Sequence, residues 1–275
     1  MLQRKTRATA RERDNILPQN DMRFRRWLLW MTLILLIGAG LRIHAIAADR
    51  RFHSDEALFA SIARRAAVNG EWMFPDELDK PPLALYLQAF SMAFTGVQVN
   101  TANVLDQPYR QGELAARLPA LLAGILQIAL AGALARRLFE NTAVGLVSAF
   151  LMALSPLAIG FSATAFTDMP MLAFALAGLY ASVCGRWGWA GLWMALAFAA
   201  KPQGIIFIPL ALLIGVSVGR VTLRQFFALC LPVALAFGLI TLWDAARGLS
   251  DSLWSLALAH NTPGTADDLS FARGY

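Results

Sequence analysis

Long uncharged apolar runs constrain this chain more than any other feature. A helix needs roughly 20 mostly apolar residues to cross a bilayer, with a range of about 17–25. One run extends from Trp27 to Ala48, with Arg42 and His44 near its far end. Six more follow: Leu118–Ala135, Asn141–Thr167, Met169–Gly185, Trp187–Ala200, Pro202–Gly219 and Gln225–Trp243. The short run Trp187–Ala200 spans only with its polar flanks. The reading is an all-α integral membrane protein with about seven transmembrane helices. Composition agrees: 57% of the 275 residues are hydrophobic and 15% charged, against about 45–50% and 25% in soluble domains. Cys184 and Cys230 lie inside apolar runs, with neither metal spacing nor a disulfide framework.

Charge sets the orientation. Residues 1–26 carry eight basic residues against Glu12, Asp14 and Asp21. Positive residues stay in the cytoplasm, so 1–26 is a basic cytoplasmic tail, expected to be disordered through residue 22. Ala45-Ile46-Ala47 has the small-residue form of a signal cleavage site, but Arg42 and the long basic leader favour an uncleaved anchor. A further apolar stretch, Leu83–Val97, is too short to span. If it did span, Arg136, Arg137, Arg220 and Arg224 would fall outside. Laid at the interface, it leaves those four and Arg186 inside. Residues 49–113 are then one long extracytoplasmic loop with amphipathic juxtamembrane helices, within a transmembrane domain spanning 27–243. Residues 244–275 are an extracytoplasmic C-terminal segment. On this path the inside holds thirteen basic and four acidic residues, and the outside eleven and fourteen. The net charge of +6 is therefore an orientation signal and no sign of nucleic acid.

Ser54 is the expected N-cap of a helix that opens on Asp55 and Glu56, carries Arg64 and Arg65 late, and closes at Gly70. Leu58, Ile62 and Ala66 are its expected apolar face. The aromatic stretch Trp72-Met73-Phe74 suits an interface. Two prolines fix the backbone after Lys80. The chain has only three lysines, and two of them, Lys80 and Lys201, precede prolines on the outer side.

His53-Ser54-Asp55-Glu56, Asn69-Gly70-Glu71-Trp72 and Lys80-Pro81-Pro82-Leu83 resemble the first outer loop of the GT-C membrane glycosyltransferases. The nearest branch holds the protein O-mannosyltransferases and the lipid A aminoarabinose transferase. Glu113-Leu114-Ala115-Ala116-Arg117-Leu118-Pro119 resembles the opening of that family's second span. Ala165-Phe166-Thr167-Asp168-Met169-Pro170 resembles its second acidic motif, and Lys201-Pro202-Gln203 its later basic turn. Order and spacing agree from about residue 25 to 245.

The resemblance implies inverting transfer of a sugar from a polyprenyl-phosphate donor to an extracytoplasmic acceptor, whether glycan, lipid or protein. It implies Asp55 as general base, with Asp168 as a second catalytic carboxylate that orients the acceptor, helps the base or binds a metal. Lys80, Lys201 and Arg64 are candidates to hold the donor phosphate. Glu56 and Glu113 are supporting residues, though Glu56 reads first as a solvated helix-start residue and only second as an orienting partner. Relatives carry a basic residue one turn after the aspartate, where this chain has Leu58. No cofactor is implied. Met169-Pro170 after Asp168 gives no DxD-type metal site, and a divalent ion stays open. Lys201 and Arg42 read equally as snorkelling side chains. Two alternatives stand beside the enzyme: a transporter or flippase for a lipid-linked substrate, and a non-catalytic scaffold subunit. Against family members the chain ends early, after about seven spans, so a longer remainder or a second subunit is expected. The implied location is the bacterial inner (plasma) membrane.

Overall fold

The computed structural model describes residues 2–48, 51–98, 109–219 and 221–261. Every expected apolar run is helical. α1 covers Leu2–Ala47, α2 Ser54–Asn69, α3 Leu83–Phe94 and α4 Tyr109–Leu138. α5 (Thr142–Leu154) and α6 (Pro156–Ser162) meet at a 57° bend. α7 (Asp168–Val183) and α8 (Trp187–Ala200) follow, then a 3-10 turn (Pro202–Ile206), α9 (Phe207–Val218), α10 (Leu223–Ala246) and α11 (Leu253–Asn261). Among the described residues three segments are long and apolar enough to cross a bilayer, namely Phe24–Ala47, Arg110–Leu138 and Leu223–Ala246. The bent α5–α6 pair is a fourth if counted as one span. α7 and α8 are shorter, rising about 24 and 21 Å at 1.5 Å per residue. The basic segment before residue 27 continues α1 rather than forming a disordered tail, in keeping with its Arg, Ala, Glu and Leu content. The polar segment after residue 243 begins helically, and residues 262–275 lie outside the described residues.

α4 packs against α1, α3, α5 and α7, while α8 lies between α7 and α10. Small residues permit the close approaches. A Cβ on Gly191 of α8 would stand 2.7 Å from the Leu229 carbonyl oxygen of α10, and one on Gly145 of α5 would stand 2.8 Å from the Gly132 carbonyl oxygen of α4. Leucines such as Leu29, Leu36, Leu213, Leu239 and Leu242 point outward. Such an exterior is stable against lipid tails and costly against water.

The helix ends meet in two groups. Arg110 donates to the Ala47 carbonyl, Ala165 bonds Glu56, Lys201 pairs with Asp168, and Arg247 reaches the Phe74 and Asp76 carbonyls. At the other end, Arg136 stacks on Trp27, and Trp187 packs on Gly215. α3 is only 12 residues, about 18 Å. It starts and returns on the Asp55 side, as expected of a non-spanning helix.

Arg42 does not snorkel. It is fully buried, and its guanidinium donates to the carbonyls of Gly38 (3.0 Å), Ala153 (3.1 Å) and Met152 (3.0 Å). The reason lies at the α5–α6 bend. Met152 would bond the amide of residue 156 in an unbroken helix, and Pro156 has no N–H. Arg42 supplies the missing donors where no water can. Arg42→Leu should leave these carbonyls unsatisfied at about 1–3 kcal/mol each, seen as a lowered unfolding temperature in detergent. Arg42→Lys should recover part of the loss.

Candidate active site

The start of α2 is built by its own neighbours. The N-cap is His53 rather than Ser54: its Nδ1 accepts from the Asp55 amide at 3.4 Å, and its own amide donates to Glu56 Oε1 at 3.3 Å. Ser54 is the first helical residue, its hydroxyl 3.4 Å from Asp55 Oδ1. Gly70 ends the helix at φ 76°, a left-handed geometry suited to glycine. The buried face differs from the expected one. Phe59, Ile62, Ala63 and Ala66 pack inward, and Leu58 is exposed. Residues 59, 63 and 66 repeat at helical spacing from Glu56, and Leu58 falls about 100° off Phe59.

Glu56 is no solvated residue. Only 4% exposed, its Oε2 accepts from Arg117 Nε of α4 and from the Ala165 amide, each at 3.0 Å. Gln88 of α3 donates to the Ala165 carbonyl at 2.6 Å. The His53 ring meets Phe166 edge-on at 5.9 Å, and the Arg117 guanidinium lies 4.7 Å over Phe52. Glu113 sits one turn before Arg117, 3.9 Å from it. One buried carboxylate thus ties α2 to α4 and to the segment leading into α7. This lock is absent from the sequence reading. Its only local signal is Glu56 three residues after a cap, joined to an arginine at the head of an apolar run.

The other acids and bases divide unequally. Asp55 is exposed, and among the described residues no cation stands within 4 Å of its carboxylate. Asp168 opens α7 and pairs with Lys201 Nζ at 2.6 Å. Lys80 Nζ lies 3.0 Å from Asp79 Oδ2 and 4.8 Å over the Phe59 ring, one turn along α2 from Asp55. Half-buried Arg64 has no carboxylate within 4 Å among the described residues. With Glu113, Phe52 and Ser61 it lines a cavity of about 210 Å³. Arg65 is engaged by Asp76 and, at 3.8 Å, by Glu71. Asp55, Lys80 and Arg64 are thus held on or beside α2, while Asp168 and Lys201 form a separate pair near the Glu56 lock. Among the described residues no three His, Cys, Asp or Glu side chains come together.

An aromatic staple closes the far end of the segment between α1 and α4. Tyr86 donates to the Trp72 carbonyl at 2.7 Å and accepts from Trp243 Nε1 at 3.0 Å. Phe74 stacks on Tyr86 at 4.7 Å, and Arg247 covers Trp243 at 4.7 Å. Burial raises the Tyr86 phenol above its usual pKa, against the opposing Trp243 hydrogen bond and Arg247 charge. It therefore remains a neutral donor at pH 7.

The fold is an all-α bundle with an acidic helix start clamped across one end. Three likenesses relate the chain to known sugar transferases. Residues 109–243 match the family described as Dolichyl-phosphate-mannose-protein mannosyltransferase. The chain is 27% identical over 225 residues to the Undecaprenyl phosphate-alpha-4-amino-4-deoxy-L-arabinose arabinosyl transferase of Erwinia tasmaniensis, covering 76% of this chain and 36% of that one. Its fold matches the S. cerevisiae protein O-mannosyltransferase Pmt1-Pmt2 complex bound to the sugar donor. The TM-score there is 0.62 at 17% identity, over 81% of this chain and 34% of that one. The chain spans about a third of the length of these relatives.

Proposed function

We propose that this chain forms the membrane part of a glycosyltransferase that moves a sugar from a polyprenyl-phosphate donor to an acceptor on the extracytoplasmic side. The observation that carries the reading is the contrast between Asp55 and Glu56. Neighbouring carboxylates are sent to opposite environments: Glu56 is locked inside the fold, and Asp55 is presented outside it, unneutralised, at a rigid helix start. A general base must be free to take a proton, and its backbone must not wander.

The acceptor hydroxyl loses its proton to Asp55 as its oxygen bonds to the anomeric carbon. The bond from that carbon to the phosphate oxygen breaks on the opposite face. The configuration inverts, and the polyprenyl phosphate leaves with the electron pair. Phosphate is already a good leaving group, so the protein needs to hold charge rather than supply an acid. Arg64 and Lys80 are assigned that task, with Glu113 bordering the Arg64 cavity. Asp168 and Lys201 act as a pair, Lys201 turning to the phosphate and Asp168 positioning it. The N-terminus is assigned to the cytoplasm of a bacterial cell, with 1–26 the cytoplasmic tail, 27–243 the transmembrane domain and residues after 244 outside.

The test is turnover by the purified chain in lipid with a panel of polyprenyl-phosphate sugars and hydroxyl acceptors. Expected are release of polyprenyl phosphate with at least one donor and a product of inverted configuration. Retained configuration would exclude direct displacement, and no release from any donor would leave the scaffold reading in its place. Lys80→Ala should raise the donor KM about tenfold or more, the size of one charged hydrogen bond, with a smaller change in kcat.

A further inference from the structure

The end of the bundle opposite Asp55 holds a second concentration of unpaired charge. Arg136 and Arg137 stand in the last turn of α4, and Arg186 follows α7. Among the described residues no carboxylate lies within 4 Å of any of the three. Two cavities flank Arg137 and Tyr180. One, about 400 Å³, is bordered by Arg136, Glu140 and Trp27. Among the described residues the buried Trp27 Nε1–H meets no acceptor. The other, about 580 Å³, has Arg137, Arg186 and Tyr180 at its charged end and Leu130, Ala177 and Trp193 along its apolar wall.

The apolar wall continues. Trp193 stacks on Phe174 at 6.0 Å, and Phe174 borders the next cavity, an apolar furrow of about 830 Å³ between α3, α4 and α7. On α4 the two cavities adjoin at Leu130 and Leu126, one helical turn apart. From Arg137 to Leu126 is eleven residues, a rise of about 16 Å. Half the hydrocarbon core of a bilayer is about 15 Å.

We propose that this seam binds an anionic membrane phospholipid from the leaflet away from Asp55. Its phosphodiester lies among Arg137, Arg186 and the Tyr180 hydroxyl, and one acyl chain runs along α4 and α7 to Leu126 and Phe174. Exposed Arg137 and Arg186 and half-buried Arg136, with no carboxylate within 4 Å among the described residues, favour an anion. An apolar wall one leaflet deep below them rewards a chain, which free phosphate lacks. Basic pockets between membrane helices recognise lipid headgroups by this combination of charge and depth. The site is separate from the proposed donor site, since the two lie at opposite ends of α4.

The test uses the whole chain in neutral detergent, with thermal unfolding and native mass spectrometry as readouts. Dioleoylphosphatidylglycerol should raise the unfolding temperature and appear as a one-to-one adduct. Dioleoylphosphatidylcholine and inorganic phosphate should do neither. Arg137→Ala and Arg186→Ala should each weaken phosphatidylglycerol binding roughly fivefold, and Arg137→Lys should keep most of it. If the alanine variants do not fold, Ala177→Leu, which narrows the cavity below Arg137 and leaves the arginines in place, should also weaken the adduct. Equal stabilisation by phosphatidylcholine, full protection by inorganic phosphate, or unchanged phosphatidylglycerol binding in these variants would each overturn the proposal.

Discussion

Asp55→Asn should lower turnover by about two to four orders of magnitude, the usual contribution of a positioned base, and leave the unfolding temperature nearly unchanged. The separation follows from what Asp55 touches. Its carboxylate is exposed, with the Ser54 hydroxyl 3.4 Å away and no cation within 4 Å among the described residues. Asparagine keeps the shape, keeps the amide that donates to His53, and loses only basicity. Donor KM should therefore hold while kcat falls, because the donor phosphate is assigned to Arg64 and Lys80. Asp55→Glu keeps basicity and moves the carboxylate by one methylene, so it should retain more activity than the asparagine variant. Steady-state kinetics on wild type and both variants, with unfolding curves alongside, make the comparison. Wild-type kcat in Asp55→Asn would remove Asp55 from the role.

The helices were legible because hydrophobic periodicity and length are local properties. The apolar runs are helical, α2 closes at Gly70, and the stretch from Leu83 remains too short to span. What sequence reasoning missed depends on partners far along the chain. Glu56 looks like any acidic residue in a first helical turn, a place where acids are favourable. Its burial is decided by Arg117 and Ala165, 61 and 109 residues away. Arg42 near a helix end looks like a snorkelling side chain. Its destination is decided by Pro156, which leaves carbonyls on α5 in need of a donor. The same holds for Lys201, whose nearest acid lies 33 residues earlier. Leu58 was misplaced for another reason: a stripe of alanines and single large residues fixes a helix face only to within about one position.

Glu56 carries a large expected effect on stability. Glu56→Ala should destabilise the protein by about 3–5 kcal/mol, the typical result of stripping one partner from a buried ion pair. Arg117 would be left 4% exposed, with Glu113 at 3.9 Å as a distant second anion. The Ala165 amide would lose its acceptor as well. A double variant, Glu56→Leu with Arg117→Leu, should be less destabilised than the sum of the two single changes, because no uncompensated charge remains. A double-mutant cycle by thermal or denaturant unfolding measures that coupling. The functional consequence differs from that of Asp55→Asn. The double variant keeps Asp55 but frees the start of α2 from α4 and from the segment leading to Asp168. Its kcat should fall even where its fold survives, since a base held within a fraction of an ångström is worth far more than one that wanders. Full turnover in a folded double variant would show that the neighbouring carboxylate needs no anchor. The contrast between the two acids would then have no bearing on catalysis.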